Sequence, residues 1–281
     1  MKKIGFIDYY LDEWHANNYP ALIKANSKGE FEVCFSYGKV DSLRGGITNE
    51  EWSKRHNIPL CKTIEEVVEK SDVLMVLSPD NPEMHEELCD IPLKSGKLVY
   101  IDKTFAPTHE AAVRIFEKAD KYGTKCYSSS ALRFAAELDR IETEKIDAIY
   151  SEGPGKFEMY IIHQIEPVIR LMKSAVQKVM YTGSVQHPAA VVEFNDGRMW
   201  HLIMRDDKDY SFKYEIVDKE NNAEVITIKS DYFGLFIDAL INFFQTGEIK
   251  VPHEKTIEVI SVREALINAR KNPFKWMEIN H

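Results

Sequence analysis

The 281-residue chain carries 36 Lys and Arg against 45 Asp and Glu, a net charge of −9, with 44% hydrophobic and 29% charged residues. That balance suits one large domain or two modest ones with a sizeable core, and its acidity argues against a polyanionic partner such as nucleic acid. No apolar run approaches the ~20 residues that span a bilayer, and Met1-Lys2-Lys3 leads straight into a strand-like IGFI with no signal-peptide core.

The four cysteines (Cys34, Cys61, Cys89, Cys126) are scattered and form no CxxC, so reduced thiols in a cytoplasmic chain are expected, without a zinc site. His15, His187, His201 and His253 likewise show no metal-ligand spacing.

In chain order, Ile4–Ile7 is a strand candidate, followed by a helical stretch around Trp14–Ala25 and a second strand at Phe31–Ser36. Thr63 with Glu66 three residues on fits a capping box. Val73–Ser78 is a buried strand closed by Pro79, a helix runs near Pro82–Leu88, and Lys97–Ile101 is the next strand. The stretch Leu98–Pro107 organises the chain, because its apolar run stops abruptly at Asp102-Lys103-Thr104. In an open parallel sheet, ligands lie just beyond the carboxyl ends of strands, so this charged pair is aimed at a crevice. From Thr108, apolar residues recur at helical spacing until Gly123, and Lys125–Ser128 is one more strand. Strand–helix alternation of this kind predicts a doubly wound parallel sheet, an α/β fold.

The pattern then changes. Ala189–Phe194 and Arg198–Arg205 flank Asn195-Asp196-Gly197, a strong hairpin signal. Tyr210, Phe212, Tyr214 and Ile216 alternate as in a half-buried antiparallel strand, and VITI follows the Asp218–Glu224 turn. Two helices finish the chain, the first ending before Gly247 and carrying an aromatic core stripe of Phe233, Phe236 and Phe244, the second over Glu254–Arg270. The expected division is 1–128, a doubly wound domain, and 129–281, an α+β domain with a mostly antiparallel sheet.

This order of parts resembles the glucose–fructose oxidoreductase and inositol dehydrogenase family (Gfo/Idh/MocA) over nearly the whole chain. Asp102-Lys103-Thr104 stands where the family has Glu-Lys-Pro, and Ser78-Pro79-Asp80-Asn81 with His85 resembles its Thr-Pro-Asn…His segment. Ala131-Leu132-Arg133-Phe134 and the closing SDYFGLFIDALINFFQTGEIKVP are similar to further family segments. The resemblance implies a Rossmann-type first domain, NAD or NADP as cofactor, and a small-molecule substrate that is a sugar, cyclitol or related polyol. It also implies a homodimer or higher oligomer. Lys103 would touch both nicotinamide and substrate. IIHQIEPVIRLM resembles the family's His-x-x-Asp-x-x-x-His helix, with His163 matching the first His, Glu166 in place of Asp, and Arg170 in place of the second His. Spacings of three and four put them on one helix face. Arg cannot act as a base, whereas Glu166 can if burial raises its pKa. Pro167 also suits the first position of a helix beginning there.

The cofactor end departs from the pattern. Asp8 and Tyr10 replace the first two glycines of GxGxxG, whose bare backbone lets pyrophosphate approach a helix N-terminus. The resemblance assigns cofactor contacts to Ile7, Asp8, Tyr9, Ser36, Ser78, Pro79, Asn81 and Lys103. Lys39 and Arg44 near the second strand favour the phosphorylated dinucleotide. Each signal also has a bland reading: a solvated Lys103, an ordinary helix start at His163 and Glu166, an ion pair for Arg170, a surface position for His85. Tyr9, Tyr10 and Trp14 either line a pocket or plug it. The leading expectation is an NAD(P)-dependent oxidoreductase. The alternative is a catalytically silent ligand-binding or regulatory protein on the same fold. A third reading, cofactor-free lyase or isomerase chemistry, has only Glu166 and His163 behind it.

Overall fold

In the computed structural model, residues 1–207 and 209–279 are described, and they fall into two units: 1–129 with 236–256, and 130–235 with 257–281. The first cut lies at Ser129/Ser130, while 236–256, read from sequence as part of the second domain, groups with the first unit.

The first unit is built on five parallel strands: β1 (Lys2–Asp8), β2 (Phe31–Gly38), β3 (Val73–Val76), β4 (Val99–Ile101) and β5 (Cys126–Tyr127), in the order β2-β1-β3-β4-β5. All four residues of β3 and all three of β4 are buried, as expected of parallel strands covered on both faces. The crossovers carry α1 (Trp14–Asn26), α2 (Asn49–His56), α3 (Ile64–Lys70), α4 (His85–Leu88) and α5 (His109–Tyr122). Helix α5 starts where Thr108 accepts from the Ala111 amide and ends at Gly123, whose φ of 65° suits a residue without Cβ. Its buried face, Ala112, Ile115, Phe116 and Ala119, is the expected one. Phe116 stacks on Phe105 at 4.4 Å and on His253 at 3.9 Å. Burying each such phenyl contributes roughly 1.5–3 kcal/mol.

Two local expectations change. The complete capping box is Thr48 with Glu51 at the start of α2, a helix the apolar pattern did not announce. At α3 the Thr63 hydroxyl does cap Glu66, but the Glu66 carboxylate takes the Lys62 amide instead of closing the box.

The second unit contains β6 (Ile146–Pro154), α6 (Phe157–Tyr160), α7 (Ile162–Met172), β7 (Val176–Tyr181), β8 (Ala189–Phe194), β9 (Met199–Arg205), β10 (Lys213–Asp218) and β11 (Ala223–Thr227). In chain order α8 (Tyr232–Thr246), which from Phe236 on belongs to the first unit, then α9 (His253–Ala269), which passes back to the second unit at Ile257, and the short β12 (Met277–Glu278) follow. The seven-stranded sheet has the order β11-β10-β6-β9-β8-β7-β12 and is antiparallel except for β6 with β9. The Asn195-Asp196-Gly197 turn joins β8 to β9 with Gly197 at φ 83°. Helix α7 begins five residues before Pro167, so that proline lies inside the helix and not at its first position. Trp200 Nε1 donates to Ser151 Oγ at 2.8 Å, Ser151 donates to Gln164 Oε1 at 2.5 Å, and Gln164 donates on to the Ile203 carbonyl. This buried chain fixes the rotation of α7 over the sheet. Gly153 permits it, since a Cβ there would lie 2.7 Å from Gln164 Nε2.

Of the aromatic stripe on α8, Phe236 and Phe244 are core and Phe233 is half-buried. Within the first unit Phe236 packs on Tyr19 and Tyr100, and Phe244 on Phe31. No helix among the described residues is long and apolar enough to cross a membrane.

Candidate functional site

In the order β2-β1-β3-β4-β5 the chain reverses direction across the sheet between β1 and β3. Ligands of open α/β sheets bind outside the carboxyl ends of the strands at such a switch point. Asp8 closes β1, Ser78 follows β3, and Asp102 and Lys103 follow β4. These residues therefore share one edge of the sheet.

Polar groups are concentrated there to an unusual degree. Asp8 is 1% exposed, and neither carboxylate oxygen has a hydrogen-bond partner. Burial first, then the charges of Glu13 and Asp102, hold its carboxyl well above the usual range; the amides of Tyr9 and Tyr10 pull the other way without reaching bonding geometry. Glu13 is the N-cap of α1. Its carboxyl accepts from the His15 amide at 2.7 Å and from the Ala16 amide. Burial pushes Glu13 up to about 8, against the pull of those amides and of Lys103.

His15, 7% exposed, bonds through Nδ1 to the fully buried Asp102 and stacks on Tyr19 at 4.8 Å. Burial holds its imidazole below the ordinary value, so a neutral ring donates Nδ1–H to an ionised Asp102. Burial alone would raise Asp102, but His15, Lys103 and His85 together keep it lowered. The Tyr100 hydroxyl donates to the Ser129 carbonyl at 2.9 Å and lies 3.3 Å from the other Asp102 oxygen.

Lys103 is half-buried and has no ion pair or hydrogen bond among the described residues, although Glu13, Asp102 and His15 all feel its charge. The Lys103–Thr104 peptide is cis. Ser78 is 2% exposed at φ 88°, a left-handed conformation that costs a residue with a Cβ roughly 1–3 kcal/mol and tends to mark functional turns. Its hydroxyl donates to the Asn81 carbonyl at 3.0 Å.

The other expected cofactor contacts are distributed unevenly. Ile7 is buried in β1, and Tyr9, Pro79 and Asn81 are half-buried beside the edge. Ser36 lies inside β2, fully buried, and donates to the Pro59 carbonyl at 3.2 Å, because β2 continues to Gly38. Lys39 pairs with Glu87 at 2.6 Å and Arg44 with Asp80 at 2.7 Å, so neither cation is uncommitted. Tyr10 is buried at 4% exposed and belongs to the core, while Trp14 is half exposed. His85 is not a surface residue. It is fully buried, with Nδ1 3.0 Å from the Phe105 carbonyl and Nε2 2.5 Å from the Leu77 carbonyl, tying the chain after β3 to the chain after β4.

In the second unit the α7 face holds a connected row. Glu166, 2% exposed, pairs with Arg133 at 2.9 Å and accepts from the Ser130 amide at 3.3 Å. Burial raises its carboxyl, offset by Arg133 and Ser130. His163 Nδ1 lies 2.7 Å from Ser130 Oγ. Arg170 pairs with Asp139 and donates to the Arg133 carbonyl at 2.6 Å. The spacing of these three residues on one helix is as read. Arg133 and Ser130 had no role assigned from sequence; only Arg133's place in the ALRF segment, which Ser130 directly precedes, pointed to them.

Matches to solved structures cover nearly the whole chain. A probable dehydrogenase from Thermotoga maritima aligns with a TM-score of 0.80 at 15% identity, over 98% of both chains. Scyllo-inositol dehydrogenase from Lactobacillus casei, with bound NAD(H) and scyllo-inositol, aligns at 0.76 and 15% identity over 99% of this chain and 98% of that one. GenD2 from gentamicin A biosynthesis, in complex with NAD, aligns at 0.80 and 11% identity over 100% and 97%. The chain shares its fold with these solved dehydrogenase structures. At these identities the likeness is one of fold. No protein-family model and no curated protein matches the chain.

Set on this dehydrogenase fold, the edge residues can be tested against a dinucleotide. Lys103 and the turn at Ser78–Asn81 stand at the carboxyl ends of β4 and β3 on that edge. The amides that begin α1, where phosphate binds in such folds, are bonded to Glu13. They fit a pyrophosphate only with that side chain withdrawn.

Proposed function

We infer that the protein is an oxidoreductase acting on a sugar, cyclitol or related polyol with a nicotinamide cofactor, NAD or NADP. The observation that carries this reading is Lys103, an ammonium with no ion pair or hydrogen bond among the described residues, at the strand-end edge within electrostatic reach of Asp102 and His15. Such a group can bind a substrate hydroxyl and stabilise negative charge on its oxygen as a carbonyl forms. A bound nicotinamide would supply the hydride acceptor. Ile7, Asp8 and Tyr9 at the first turn, Ser78, Pro79 and Asn81 at the second, and Lys103 are the residues proposed to hold the cofactor. Ser36, turned toward Pro59, supports it only as part of β2.

In the second unit His163, backed by Ser130, is the side chain suited to relay a proton. Glu166 is held by Arg133 and acts on the orientation of that face, and Arg170, held by Asp139 and the Arg133 carbonyl, braces it. The fold shared with scyllo-inositol dehydrogenase and a probable dehydrogenase supports the assignment.

A second reading, a catalytically silent ligand-binding protein, is favoured by the Glu13 carboxyl on the α1 amides. Fluorescence titration with NADH and NADPH separates the two. The oxidoreductase reading expects saturable binding of one of them below about 1 mM and oxidation of a polyol, reduced about 10²–10³-fold in Lys103→Met. Absence of binding to either dinucleotide at that concentration sinks it.

A further inference from the structure

The first turn of α1 is arranged in a way that stability does not explain. Ser, Thr, Asp and Asn are the usual N-caps because a short side chain reaches the first free amides while staying near water. Here the longer Glu13 folds back over its own helix, and its carboxyl engages two amides, those of His15 and Ala16. It does so while 7% exposed and within electrostatic reach of Asp8, which is 1% exposed and has no hydrogen-bond partner for either oxygen. Burying two interacting carboxyls is unfavourable, and a preferred cap residue would satisfy the helix without that cost. The arrangement retains an acidic oxygen pair on the amides at the switch point between β1 and β3, where this class of sheet receives its ligand.

The surrounding turn is fixed independently of Glu13's side chain. The Leu11 amide donates to Asn49 Oδ1 at 3.0 Å, the Ile47 amide to Asp12 Oδ2 at 3.0 Å, and the Glu13 amide to the Leu11 carbonyl at 2.9 Å. Withdrawing the Glu13 carboxyl therefore requires rotation of one side chain and leaves the course of the loop unchanged. Asp8, at the end of β1, is buried with neither carboxylate oxygen hydrogen-bonded and lies within electrostatic reach of Glu13.

We propose that the Glu13 carboxyl is an intrachain stand-in for phosphate, and that a diphosphate-bearing ligand binds the first unit only by displacing it from the His15 and Ala16 amides. This rests on the nicotinamide-nucleotide reading for the ligand's identity but not for the seat itself. Glu13 then sets the threshold for cofactor binding and selects against weakly bound phosphorylated compounds.

The test uses the full-length chain with Glu13→Ala, which clears the seat, and Glu13→Ser, which clears it while keeping one cap bond should the alanine variant melt. NADH and NADPH are titrated by fluorescence and inorganic pyrophosphate by calorimetry. Both variants are expected to bind pyrophosphate and at least one dinucleotide tenfold or more tighter than the wild type. Unchanged or weaker binding of pyrophosphate in the folded variants overturns the proposal, even if NADH binds the wild type well. Tighter pyrophosphate binding with no response to either dinucleotide in any form upholds the occupied seat and removes the nicotinamide reading instead.

Discussion

The strand-end edge of the first unit and the α7 face of the second hold similar residue types in opposite states. On α7 each charged group has its complement: Glu166 has Arg133 and the Ser130 amide, Arg170 has Asp139 and the Arg133 carbonyl. On the sheet edge Asp8 has no partner, Lys103 has no ion pair among the described residues, and Ser78 sits at positive φ. Proteins retain uncompensated groups and backbone strain mainly where a ligand or a reaction uses them. The difference thus separates a region satisfied by its own folding from one that folding alone leaves unsatisfied.

The comparison breaks most visibly at Arg133. Arg133→Ala strands Glu166 as a buried charge, and losing one member of a buried pair costs about 3–5 kcal/mol. A drop in Tm of roughly 10 °C is expected by calorimetry; a change within 2 °C or so would mean that α7 is not internally satisfied as described. On the edge the sign reverses. Asp8→Asn removes a buried carboxyl that nothing compensates and should stabilise the fold by about 1–2 kcal/mol at neutral pH.

The pH dependence follows from the raised carboxyls of Asp8 and Glu13. A group whose folded pKa exceeds its unfolded one gives stability that is complete below the unfolded value, near pH 4, and lost as pH rises through the folded value. The contribution of these two carboxyls should therefore decline between about pH 4 and 8, where Glu13 titrates, against the opposite slope from the buried imidazoles of His15 and His85, and Asp8→Asn should gain stability relative to the wild type across that window in denaturant titrations. A parallel decline in the variant would count against the unpaired state of Asp8. The smallest effect belongs to the exposed end of the α7 row. Asp139→Asn should cost under about 1 kcal/mol, since an open ion pair gains little over water and Arg170 keeps its bond to the Arg133 carbonyl.

How much of this was readable without coordinates depended on which physical signal each element emits. Apolar runs bounded by turn residues made β1, β3, β4 and the Asn195-Asp196-Gly197 hairpin legible, and the α5 periodicity with Gly123 marked that helix to within a residue. Helix α2 has little apolar periodicity and announces itself only through Thr48 and Glu51. Lys103 was legible as a strand-end charge. Its neighbours were not: Glu13 is an atypical cap, and His15 meets Asp102 across 87 positions of chain. Single-residue patterns carry no such distance. His85 misled for the same reason, since its two carbonyl partners come from segments brought together only by adjacent strands.

Asn49 carries a consequence for anyone wishing to convert this protein. Its side chain holds the Leu11 amide and the Gly38 and Val40 carbonyls, and a Cβ on Gly38 would lie 2.4 Å from its Oδ1. Residues 8–13 are thus not a self-contained cassette. Grafting a glycine-rich loop from another protein of this fold between β1 and α1 would leave Asn49 gripping a backbone that is no longer there. A transplant that is to fold has to carry positions 38 and 49 along with it.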